Sequence, residues 1–169
     1  MHLNWNAMRD EVNELLDTKG FKESLNNKWQ LAALLHTEVV ELQLADNIEE
    51  EELELADLFI RALNLVIAND MDLSGCDFSD TSWMTLLKQN RDFRVVDCLN
   101  YAIVQYTEAI KKHKGLTEEN HSIIMILQAL IQYADILGLD INHIFRRKMD
   151  INWGRPYRYG TGMEEPAYS

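Results

Sequence analysis

Residues 27–69 read NKWQLAALLHTEVVELQLADNIEEEELELADLFIRALNLVIAN, and this stretch decides the fold class. Before Asp46 its apolar residues (Trp29, Leu31, Leu34, Leu35, Val39, Leu42, Leu44) recur at helical spacing. Asn47, with Glu50 three residues on, is a capping-box pattern that starts a new helix. The reading is a hairpin of two helices, one from about Asn26 or Asn27 to Ala45, the other from Asn47 onward. The second is apolar nearly all the way round, from Leu53 to Ile67, as an interior helix is.

Acidic residues interrupt this apolar pattern in two pairs, Glu38-x-x-Glu41 and, after a gap of twelve residues, Glu54-x-x-Asp57. The i,i+3 spacing puts each pair on one helix face, with Cβ atoms roughly 5–6 Å apart. In an antiparallel hairpin turning at Asp46–Asn47, Glu41 lies opposite Glu54 and Glu38 opposite Asp57. Successive rungs stand roughly 4.5 Å apart. Four carboxylates aimed at one point repel unless a cation sits between them. Hard oxygen ligands without Cys or His suit Mg²⁺, or Mn²⁺, better than zinc. The competing reading is a solvated acidic face, which Glu49 to Glu52 suggest by themselves. The apolar surroundings of Glu54 and Asp57 weigh against it, because buried carboxylates are costly without a metal or cationic partner. Arg61, one turn beyond Asp57, is either an ion-pair partner or a phosphate contact. A ferritin-like di-iron site needs Glu-x-x-His on two helices. The chain has one such pair, Glu118 and His121, and the hairpin has none.

Composition agrees with an all-α helical bundle forming a single domain: 169 residues, 47% hydrophobic, two prolines and seven glycines. A net charge of −12 disfavours nucleic acid as a partner. No apolar run is long enough to span a bilayer, so no membrane partner is expected. Cys76 and Cys98 are too few for a disulfide framework and no secretory leader is visible; the expected setting is cytoplasmic.

Outside the hairpin, a first helix is expected over Trp5–Thr18, closed by Gly20 as its C-cap. Residues Asp70 to Thr81 read as a loop. A long helix follows from Ser82 or Trp83 to His113, with a break near Asn90 as the alternative. Gly115 ends it, Thr117 caps a helix running to Leu137 and Gly138, and a last helix spans Asp140 to Ile151. A faint repeat relates Thr37–Glu41 to Thr107–Lys111 and Asn69–Leu73 to Leu137–Ile141. It suggests a degenerate duplication: a metal-binding half at about 1–75, and a half at about 80–160 in which Lys111, Ser122 and Met125 replace the acids.

The acidic signature resembles that of the all-α nucleoside triphosphate pyrophosphohydrolases, the MazG-like superfamily that includes dimeric dUTPases and dCTP pyrophosphatases. A second stretch, Lys148-x-x-x-Asn152-x-x-Arg155, resembles the C-terminal motif of the same group. The resemblance covers residues 26–70 and 135–160; the roughly 60 residues between Asp70 and Leu130 are a departure from its short members. It implies Mg²⁺-dependent hydrolysis of a nucleoside triphosphate between the α- and β-phosphates in nucleotide housekeeping, by a homodimer or an intrachain pseudo-dimer. A dUTPase- or dCTPase-type specialist is the alternative, as is a silent bundle that binds a nucleotide or partner without turnover. The implied ligands are Glu38, Glu41, Glu54 and Asp57, with Glu38 or Glu41 serving the attacking water. Lys148 and Arg155 would meet the phosphates, and Asn152 a phosphate or sugar oxygen. For base and sugar the sequence offers Asn64, Asn27 and Gln30, and Trp29, Trp153, Tyr157 and Tyr159 for stacking; each aromatic has core or rim packing as its alternative reading.

Overall fold

Asn47 begins α3 as its sequence suggests, its side chain accepting the Glu50 N–H at 3.0 Å. Glu50 returns the bond one residue earlier than a capping box would, to the Asp46 N–H. Asn27 caps α2 in the same way through the Gln30 N–H, and Asp140 caps α7 through the Asn142 and His143 N–H groups. The computed structural model describes residues 3–160. It contains seven α-helices and no strand among the described residues: α1 Trp5–Thr18, α2 Lys28–Leu44, α3 Ile48–Ala68, α4 Ser82–Arg91, α5 Val95–Lys111, α6 Leu116–Ile136 and α7 Ile141–Trp153. Short 3-10 turns precede α2 (Lys22–Asn26) and follow α7 (Tyr157–Gly160).

Four helices form the bundle. The α2–α3 and α5–α6 hairpins lie side by side, α2 on α5 and α3 on α6, while α1 and α7 pack on the outer side of α3. The interior face of α3 explains its place at the centre: Leu55, Leu58, Phe59, Leu63 and Leu65 are all completely buried. Trp5 of α1 stacks on Phe59, and Tyr106 of α5 is the largest fully buried side chain. No single helix among the described residues is long and apolar enough to cross a membrane; α6 and α7 pass only as a pair, and that pair is bent by 106°.

Two helix ends differ from expectation, and a break given as an alternative is present. The span from Ser82 is two helices, parted close to Asn90 as that alternative had it, because Asp92 turns left-handed (φ 56°) and Asp97 starts α5 by accepting the Arg94 N–H at 2.8 Å. Gly115 (φ 95°), rather than Thr117, is the N-cap of α6; no side chain caps that helix. Gly20 stands one residue beyond the C-cap of α1, where φ of +79° needs a residue without a Cβ.

Candidate functional site

Glu38 on α2 is buried, Glu41 one turn on is exposed, and Glu54 on α3 is half-buried. One carboxylate oxygen from each lies within 4.8 Å of those of the other two. The three acids therefore form a small bowl running from the bundle interior to its surface. The hairpin expected from the Asp46–Asn47 turn brings them there. The fourth acid behaves differently. Asp57 turns to α7, where Lys148 Nζ meets its Oδ2 at 2.5 Å, and Arg61 Nε donates to Glu38 Oε1 at 3.0 Å. The expected box of four ligands is thus a triad with an ion-paired fourth member beside it.

The electrostatics follow from this crowding. Burial raises the Glu38 carboxyl, with the neighbouring Glu41 adding to the effect and Arg61 opposing it. Burial also raises Glu54, and the charge of Asp57 raises it further. Asp57 itself is raised by burial although Lys148 pulls the other way. With all four carboxylates ionised, the two cations would leave two negative charges, the charge that one divalent ion cancels. An all-oxygen donor set suits Mg²⁺, and the three converging acids fit it.

Three consecutive basic residues on α7 each meet an acid on another helix. Arg146 grips Glu11 of α1 with both terminal nitrogens, at 2.9 and 2.6 Å. Arg147 meets Glu52 of α3 at 3.2 Å, and Lys148 meets Asp57. Glu11 also accepts from Trp153 Nε1, and the Arg146 hydrogen bond lowers its carboxyl. So α7 is clamped across α1 and α3. Lys148, expected at the phosphates, is almost wholly engaged within the fold. Arg155 is exposed and forms no ion pair among the described residues; its guanidinium lies 4.9 Å from the centre of the Tyr159 ring.

Beside the acidic bowl is a cavity of about 280 Å³. Its polar lining includes Asp57, Arg61, Asn64, Gln30, Asn152 and Arg155, and its apolar wall includes Val12, Leu15, Leu31, Leu34 and Phe21. Asn64 and Asn152 are 3% and 4% exposed, yet the Oδ1 of each accepts no hydrogen bond from any described residue. Leaving such a group unpaired costs about 1–3 kcal/mol. Two of them line this one cavity.

Of the residues singled out from sequence, Gln30, Asp57, Arg61, Asn64, Asn152, Arg155 and Tyr159 share this cavity, and Glu38, Glu41 and Glu54 adjoin it through the Arg61–Glu38 and Asp57 contacts. Trp29 does not line it: it is 52% exposed at the start of α2, and Gln30 faces the cavity instead. Asn27 serves as a cap. Sequence reasoning missed α1 as a wall and Glu11 as the anchor of α7, since neither carries a local motif. Glu51, read as surface, accepts the Tyr133 hydroxyl.

Comparison with protein-family models, with curated proteins and with solved structures returned no match for this chain.

Proposed function

We propose that the chain is a Mg²⁺-dependent nucleoside triphosphate pyrophosphohydrolase of MazG-like type. The observation that carries this reading is the carboxylate bowl opening beside a cavity that holds two buried amide oxygens without a partner among the described residues and the guanidinium of Arg155, which lies on the Tyr159 ring and forms no ion pair among those residues. A metal held by Glu38, Glu41 and Glu54 would neutralise the triphosphate and lower the pKa of an attacking water. Arg155 forks onto phosphate oxygens, while Lys148 and Arg61 hold Asp57 and Glu38 in place. Glu41 is the better candidate to take the proton from water, because Glu38 already accepts from Arg61. Water adds to the α-phosphorus, the bond from that phosphorus to its bridging oxygen breaks, and pyrophosphate leaves with the bonding electrons. The nucleoside occupies the cavity, where its hydroxyl or N–H donors satisfy Asn64 and Asn152.

The test is pyrophosphate release from the eight common ribo- and deoxynucleoside triphosphates plus dUTP, in Mg²⁺ and in EDTA. Metal-dependent release supports the reading, and the ranking of substrates separates a dUTPase- or dCTPase-type specialist from a generalist. Absence of release with every nucleotide would favour a silent binding bundle.

A further inference from the structure

The segment after α7 leaves the helix at Gly154 and doubles back over the end of α1. Three observations distinguish it from an ordinary tail. Arg158 and Tyr159, neither of them glycine, take left-handed conformations in succession (φ 46° and 52°), with Gly160 following at +78°. Such backbone persists only where its surroundings hold it, and it concentrates at ligand clamps. The hold is visible at the α1 turn. The Arg158 N–H donates to the Lys19 carbonyl at 2.9 Å, and Lys19 Nζ donates to the Arg155 carbonyl. The Tyr157 ring lies so close to Gly20 that a Cβ there would collide with it. The third observation is what the strap carries: Tyr159 lines the cavity, its ring tilted edge-on against Phe21 at 4.9 Å and covered by the Arg155 guanidinium.

We propose that residues 155–160 are a latched strap that closes the nucleoside cavity, with Tyr159 as its outer wall and as the support that sets Arg155 at the phosphates. Tyr159 is a binding residue in this arrangement, and Gly20 and Tyr157, which form the latch, are positioning residues. The inference rests on the nucleotide reading above for the class of ligand. It adds that affinity depends on a glycine in the α1 turn, far along the chain from the acidic motif.

The experiment separates binding from chemistry. Wild type, Tyr159→Ala, Tyr159→Phe and Gly20→Ala are titrated by calorimetry with the same nine triphosphates in Ca²⁺, and pyrophosphate release is followed in Mg²⁺. Tyr159→Ala is expected to weaken the best nucleotide about tenfold in Kd and in KM. Tyr159→Phe should stay within about twofold, since ring contact suffices. Gly20→Ala should act like Tyr159→Ala, with kcat changed less than about threefold. Should Gly20→Ala not fold, Tyr157→Ala removes the latch from the other side and is expected to give the same shift. Wild-type affinity in Tyr159→Ala and in the latch variant overturns the strap, as does a wild type that binds none of the nine. Wild-type binding in Ca²⁺ without release in Mg²⁺ overturns the hydrolase reading alone, and the shifts in Kd then decide the strap.

Discussion

At the scale of single residues, the site is a problem of repulsion. Glu54 is raised by burial and by Asp57, so between the ordinary carboxylate range and its raised value the folded protein holds more protons than the unfolded chain. Stability therefore falls as pH rises through that window, and the penalty is complete above it. Glu54→Gln removes this term. In EDTA its Tm should exceed that of wild type near neutral pH, with the gap closing as pH falls into the carboxylate range; a gap independent of pH would contradict the assignment. Glu41→Gln is expected to lower pyrophosphate release by about 100-fold or more while the far-UV spectrum and Tm stay near or above wild type. Lys148 poses the opposite case. Its ammonium pairs with Asp57 in a largely enclosed position, and breaking a buried pair costs about 3 kcal/mol. Lys148→Met should therefore lower the urea midpoint strongly, whereas a phosphate-binding role alone would leave it unchanged. The acids were legible in the sequence because i,i+3 spacing is local. Their division into a triad and an ion pair was not, because it depends on Lys148, 91 positions from Asp57.

At the scale of elements, caps set where the helices begin and packing sets where the site sits. The two bonds between Asn47 and Glu50 hold the turn that brings Glu54 to Glu41. Asn47→Ala is expected to cost about 1 kcal/mol in chemical denaturation, with a loss of Mg²⁺ affinity larger than a remote substitution of equal cost would give. The hairpin, α1 and α7 were readable from periodicity and capping residues. The break at Asp92 was harder to read: its left-handed turn has no glycine, and the Asp97 cap is a single side chain. On α7, the run Arg146–Lys148 reads as a basic helix end. Only the packed structure turns it into a clamp on Glu11, Glu52 and Asp57.

At the scale of the whole molecule, a cation that binds the folded chain must stabilise it. Mg²⁺ at about 100 times its dissociation constant should add about 2.7 kcal/mol, and each kcal/mol is worth about 2–4 °C in Tm for a domain of this size. The rise should vanish in Glu41→Gln; a shift that survives there would place the ion elsewhere. Sequence alone determined the all-α class, the α2–α3 hairpin and the nearness of its acids, since helical period, caps and a short turn act between neighbours in the chain. Tertiary structure decided which oxygens converge, that α1 walls the cavity, and that Asn64 and Asn152, 88 positions apart, place on its lining amide oxygens with no partner among the described residues. Those outcomes come from burial and from contacts between distant segments, where desolvation and the choice of partner belong to the packed chain and to no local stretch of it.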